Sequence, residues 1–282
     1  MLISIVIPAF QEQDDIGECL AALVQQDVLR VHPGEVEAIV VANGCTDNTV
    51  ASARAWIKPA ACAGLRLVVL DITKASKAAA LNEGDRYCSG AFRVYLDADV
   101  GCEKNLLGQL ASILNSDEPR YGSGTLKIRQ PRSRISQAYG RVWASLPFVH
   151  EGTSGCGLYA VNAAGRLRWG DFPPIHSDDK FARLQFLPKE RFRVTAKYFW
   201  PLPEGFVRLV RVRRRWCEGN AELLRTYPEL APLDDSGNSI MNSIFVLLFR
   251  SPLDLIMFTI VYASARVLAF TTRNRHVVLW RR

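Results

Sequence analysis

Val94-Tyr95-Leu96-Asp97-Ala98-Asp99 is a short apolar run that stops on two carboxylates. β-Branched and aromatic residues favour a buried strand, and the polar residues behind them mark its carboxyl end. Residues 2–7, 38–41 and 65–70 have the same nearly continuous apolar character. Strands buried on both faces of a sheet read this way. Helical patterns lie between them. Ile16, Leu20, Leu23 and Val24 keep helical spacing behind Asp14 and Asp15, which suit a first turn. Thr46 and Asp47 are predicted to cap a helix running to about Trp56, and Ser76 to open one through Ala80, Leu81 and Gly84. The alternation predicts an α/β fold: a mostly parallel, Rossmann-like sheet with helices on both faces and ligands at the strands' carboxyl ends.

Past that half the pattern changes. Residues 122–128 and 157–161 read as further strands, separated by a basic, irregular segment at 129–141. Ser177 is predicted to cap a short helix holding Asp178, Asp179, Phe181 and Leu184. A longer helix from about Phe206 to Leu224 carries Arg208, Arg211, Arg213, Arg214 and Arg215.

The chain has 282 residues, 49% of them hydrophobic, enough for one large α/β domain with a small appendage. Its formal charge of +7 suits a nucleic acid, an anionic membrane or a phosphorylated substrate. No basic stripe interleaves with stacking aromatics, so nucleic acid is set aside. Seven cysteines without a CxxC pair, and only four histidines, speak against a zinc cluster and for reduced structural thiols. Met1-Leu2-Ile3 runs straight into the first strand without a basic region or cleavage site, which predicts a cytosolic catalytic part.

Chemistry is sought where strands end. Asp97 and Asp99 are hard oxygen donors at the mouth of the sheet. Mg²⁺ or Mn²⁺ binds through few such carboxylates and bridges to substrate phosphates. Alone, Asp-x-Asp is also an ordinary solvated turn. Here it follows Ile5-Val6-Ile7-Pro8-Ala9-Phe10-Gln11-Glu12, Val40-Val41-Ala42-Asn43-Gly44-Cys45-Thr46-Asp47, and Lys74 through Gly84. In order and spacing these stretches resemble the family-2 glycosyltransferases, closely over residues 3–100, well over 152–219, and not beyond about 235.

That resemblance implies a GT-A fold and an inverting transfer from a nucleotide-diphosphate sugar, a UDP-sugar foremost, to a hydroxyl acceptor. Pro8, Ala9 and Glu12 would line the nucleotide pocket. Asn43 stands where an aspartate usually grips uracil; its amide both accepts and donates. Lys77 would approach the nucleotide or its phosphates, Asp97 the ribose, and Asp99 the metal. Gly155-Cys156-Gly157 matches a glycine-rich strand, where Gly155 and Gly157 would admit the acceptor sugar. In His176-Ser177-Asp178-Asp179, Asp178 replaces a glutamate on the acceptor side, and Asp179 would be the general base. Arg215-Trp216 matches the end of a Gln-x-x-Arg-Trp motif, with Val212 in the glutamine's place. Arg215 would clamp the diphosphate. The partial motif argues for single-sugar transfer. Two rivals remain: a sugar-phosphate nucleotidyltransferase, disfavoured by the glycine-free, acidic loop Pro8 to Glu12, and a non-catalytic nucleotide-sugar-binding membrane module.

Residues 1–235 are thus expected to form the transferase, with a nucleotide half (1–100) and an acceptor half (101–235). Residues 236–282 are expected to form membrane-associating or dimer-forming helices. The run 240–249 is too short to span a bilayer and 253–270 is marginal. With Arg273, Arg275, Arg281 and Arg282 at the end, a surface-lying helix pair on the cytosolic face, against an anionic membrane, or a shallow hairpin turning at Pro252, fits both features. Packing against the domain or a homodimer mate is the alternative. The same apolar tail and arginines suggest a lipid-linked acceptor in cell-surface polysaccharide assembly.

Overall fold

The computed structural model describes residues 3–150, 152–235, 248 and 250–272. Four parallel strands form one side of the sheet: β1 (Ile3–Ala9), β2 (Val36–Asn43), β3 (Leu65–Ile72) and β4 (Phe92–Leu96), arranged β3-β2-β1-β4. All seven residues of β1 are buried, as its unbroken apolar run requires. The helices between them include α1 (Ile16–Val24), α2 (Thr49–Arg54) and α3 (Lys77–Tyr87). α2 begins later than predicted, although the Asp47 carboxylate still accepts from the Thr49 amide at 3.0 Å. Ser76 caps α3 as expected, its Oγ accepting from the Ala79 amide at 3.3 Å. Gly84 lets α3 lie close on the sheet, because a Cβ there would run into Val6. The start of α3 is thereby held at the strands' carboxyl ends.

The second half adds β5 (Gly101–Cys102), α4 (Leu106–Leu114), β6 (Tyr121–Arg129), α5 (Arg134–Ala144), β7 (Leu158–Asn162), α6 (Asp178–Leu184), β8 (Arg191–Pro201) and α7 (Phe206–Thr226). The full order is β3-β2-β1-β4-β7-β6-β8-β5. β7 runs antiparallel to both neighbours, β6 and β8 are parallel, and β5 is antiparallel to β8, so the eight-stranded sheet is mixed. The segment expected to be irregular, 129–141, is largely wrong as a loop: α5 covers most of it and buries Tyr139, Val142 and Trp143. Its apolar positions are sparse but lie on one helical face. β8 and α4 are likewise unforeseen elements. α7 reaches the start of α6 through Gly219, where a Cβ would meet His176 Cβ and Ser177 Oγ at 2.8 Å.

The last described element is α8 (Pro252–Thr272). It lies against α5 and α7 along one stripe. Phe258 stacks on Tyr139 with ring centroids 4.9 Å apart, and Val261 and Ala265 are fully buried in the main core. Arg141 of α5 grips Asp254 with two hydrogen bonds of 2.7 Å. The opposite side is bare: Leu253 is 79% exposed and Phe270 78%. By length and composition Pro252–Phe270 is sufficient to cross a membrane, with a mean hydropathy of 1.7. Leu248 apart, the predicted run 240–249 lies outside the described residues, as do the terminal arginines.

Candidate active site

Asp97 follows β4 directly, and its amide donates to the Gly157 carbonyl at 2.9 Å, tying it to the start of β7. The chain then turns, the Val100 amide donating to the Asp97 carbonyl at 3.1 Å. This turn defeats the alternation of a strand, so Asp97 and Asp99 both line one cleft of about 1000 Å³. Asp178 and Asp179, from the first turn of α6, line the same cleft. Lys77 joins the two groups. Its Nζ lies 2.8 Å from Asp97 Oδ1 and 3.1 Å from Asp178 Oδ1.

Charge explains the electrostatics of this cluster. Burial works against the Lys77 ammonium, but Asp178 and Asp97 outweigh it and hold its pKa above the ordinary lysine value. Burial pushes the Asp178 carboxyl up to about 6, with Lys77 opposing. Burial, then the nearby Asp97 and Asp15, push Asp99 up to about 7. Asp179 is also raised by burial, again with Lys77 opposing. A carboxylate with a raised pKa is a stronger base, which suits proton abstraction near neutral pH.

Ser177 stands at the N-cap of α6, but its hydroxyl does not cap the helix as predicted. It donates to Asn220 Oδ1 of α7 at 3.0 Å. The bond and the close approach at Gly219 fix the Asp178-Asp179 pair against α7. Asp179 Oδ1 accepts from the Lys180 amide at 2.7 Å.

Arg215 and Trp216 reach the cleft from α7. Trp216 is one of three stacked tryptophans. Its ring lies 5.5 Å from that of Trp200, which lies 5.1 Å from that of Trp143. Only Trp216 stands out in the sequence. Trp143 and Trp200 sit on α5 and β8, so this wall became visible only with those elements.

Other predicted residues divide. Pro8 and Glu12 line the cleft, as does Gly157, whose φ of +73° and contact with Trp200 (2.7 Å to a Cβ placed there) call for glycine. Gly155 does not line it: its φ is +70°, and a side chain there would collide with the Tyr121 hydroxyl. Ala9 and Asn43 are fully buried behind the lining. Asn43 Nδ2 donates to the Ala9 carbonyl at 2.8 Å, so the amide ties the ends of β1 and β2 together. Its Oδ1 is buried without a hydrogen-bond partner among the described residues.

Comparison with known proteins bears on this geometry. Glycosyltransferase AglE of Haloferax volcanii is 28% identical over 129 residues, which span 46% of this chain and 40% of that protein. The chain therefore matches less than half of that relative's length. The structure resembles mannosyltransferase PcManGT from Pyrobaculum calidifontis, solved with GDP-Man and Mn²⁺, with a TM-score of 0.62 and 19% identity over 96% of this chain and 79% of that one. It also resembles glucosyl-3-phosphoglycerate synthase from Mycobacterium tuberculosis, solved with Mn²⁺, uridine diphosphate and glucosyl-3-phosphoglycerate. There the TM-score is 0.55 and the identity 19%, over 84% of this chain and 82% of that one. At these identities the structural likenesses speak for the fold alone, which is GT-A-like. Sequence likeness goes further. The profile of Glycosyl transferase family 2 matches residues 4–163, more than half of the chain, from β1 through the Asp97–Asp99 turn and β7. The chain belongs to glycosyl transferase family 2.

Proposed function

We propose that the protein transfers a sugar, with inversion, from a UDP-sugar to an acceptor hydroxyl. The observation that carries this reading is the shared cleft: Asp97 and Asp99 at the strand ends, and Asp178 and Asp179 opening α6. Pro8 and Glu12 line the nucleotide side, with Ala9 and Asn43 supporting them from behind. Asp97 faces the ribose, and Arg215 with Trp216 closes on the diphosphate. Gly157 and Asp178 bound the acceptor, whose hydroxyl gives its proton to Asp179 as it attacks the anomeric carbon. Lys77 joins Asp97 and Asp178. Mn²⁺ or Mg²⁺ would be held by Asp99 and completed by phosphates and water. The crowding of Asp99 by Asp97 and Asp15 favours a cation there. When bound, the ion neutralises charge on the departing diphosphate.

Incubation with a panel of UDP-sugars and Mn²⁺ tests the reading. Slow Mn²⁺-dependent release of UDP is expected from at least one donor. Pyrophosphate release from a nucleoside triphosphate and a sugar phosphate would instead mark a nucleotidyltransferase, and neither release would mark a binding module.

The acceptor is read as lipid-linked and the protein as peripheral on the cytosolic face of a membrane. Support comes from the exposed side of α8, where Leu253, Ile256, Ile260, Val267 and Phe270 form an apolar ridge. Inserting one such side chain contributes roughly 1.5–3 kcal/mol. The full chain is expected to sediment with vesicles of anionic phospholipid, and Ile260→Asp with Val267→Asp to lower the bound fraction at least fivefold. A dimer in the absence of vesicles, with no binding in their presence, would show that a second copy covers the ridge.

A further inference from the structure

Arg208, Arg211 and Arg215 are spaced three and four residues apart, so they fall on one face of α7. All three line the cleft. At about 1.5 Å per residue the row extends over roughly 10 Å. Most other cations of the cleft are already matched. Lys77 holds Asp97 and Asp178, Lys180 pairs with Asp234 at 2.7 Å, and Arg183 pairs with Asp235 at 2.5 Å. Arg213 extends toward α8, its guanidinium 4.9 Å from the ring centroid of Tyr262. Arg208, Arg211 and Arg215 form no ion pair among the described residues.

Three guanidiniums in a row make a wall that attracts an anion; Glu204, the lining carboxylate just before α7, is occupied by the Arg132 and Ser133 amides at 2.7 and 2.8 Å. Arg215 is taken by the donor diphosphate in the reading above. Arg211 and Arg208, about one and two turns away along the helix, have no such use. Beside them the cleft is apolar: Trp143, Phe148, Trp200 and Leu202 line it as well. A ligand that satisfies both surfaces carries a phosphate and an apolar portion.

We infer that Arg208 and Arg211 bind a phosphate group on the acceptor, whose apolar part lies along the tryptophans. The inference rests on the reading of this cleft as an acceptor site beside Asp179. A phosphorylated lipid and a soluble phosphate ester share this chemistry, and the arms of the experiment separate them.

The full chain is titrated calorimetrically with decyl phosphate, glycerol 3-phosphate and decyl maltoside, each with and without saturating UDP and Mn²⁺. Decyl phosphate is expected to bind with the donor pocket filled, and decyl maltoside at least tenfold more weakly. Arg208→Gln with Arg211→Gln should weaken decyl phosphate at least tenfold and leave UDP affinity within about twofold, whereas the corresponding lysine pair should lose less. Glycerol 3-phosphate binding at least tenfold more weakly would support the inference with a lipid phosphate; binding as tightly as decyl phosphate would overturn the apolar contact with the tryptophans and leave only a phosphate site for a soluble ester. Decyl maltoside binding as well as decyl phosphate, or a glutamine pair with unchanged decyl phosphate affinity, would overturn it. Arginine-dependent decyl phosphate binding in a chain that neither binds UDP nor releases it from UDP-sugars would uphold the phosphate site and sink only the donor reading.

Discussion

Asp179→Asn is expected to leave UDP affinity within about twofold of the wild type while sugar transfer falls by about 10² or more. The substitution keeps the side chain's size and removes its ability to take a proton. Asp178 is the poorer candidate for base, because its Oδ1 is engaged by Lys77 at 3.1 Å. Asp179 accepts from the Lys180 amide, one residue along the first turn of α6. The comparison is made on UDP release in the presence of acceptor, with UDP binding measured separately by calorimetry. Transfer within a few-fold of the wild type would move the base to Asp178.

The second large effect concerns the cation. At about a hundred times its Kd, a ligand stabilises the folded state by ~2.7 kcal/mol. In the wild type, much of that gain from UDP is expected to appear only with Mn²⁺. Asp99→Ala should remove the Mn²⁺-dependent share and leave the melting point without ligand nearly unchanged, since the Lys77–Asp97 and Lys77–Asp178 pairs stay intact. Thermal melts with UDP, with and without Mn²⁺, read this directly. Equal Mn²⁺ dependence in variant and wild type would show that Asp99 does not hold the metal.

Much of this site can be read from the residues because parallel strands buried on both faces are continuous apolar runs. β1 to β4 stand out for that reason, and polar residues at their ends mark the cleft. β8 obeys a different rule. In Val194-Thr195-Ala196-Lys197-Tyr198 buried and outward residues alternate, so no continuous run marks it. α5 carries Arg134, Arg141 and Gly140 among its apolar positions and resembles a basic loop until Tyr139 and Trp143 find partners in space. These two elements carry Trp143 and Trp200, so the aromatic wall stayed hidden with them. Asn43 was hidden differently. Its position in the motif is plain, but whether its amide meets a ligand or a neighbouring carbonyl depends on how the ends of β1 and β2 approach each other.

Phe258, Val261, Tyr262 and Ala265 recur along α8 at helical spacing and turn inward, two of them aromatic partners of Tyr139 and Arg213. Arg213 in turn sits over Trp216 of the cleft, 5.7 Å from its ring centroid. Leu253, Ile256, Ile260 and Val267 answer to none of these neighbours. One helix therefore meets two different constraints. Its inner stripe is expected to covary with Tyr139 and Arg213, and through them with the tryptophan wall of the cleft, and the outer ridge to vary independently of them. In a homologue whose ridge turned polar, the stripe is expected to survive as a record of the cleft it helps to build.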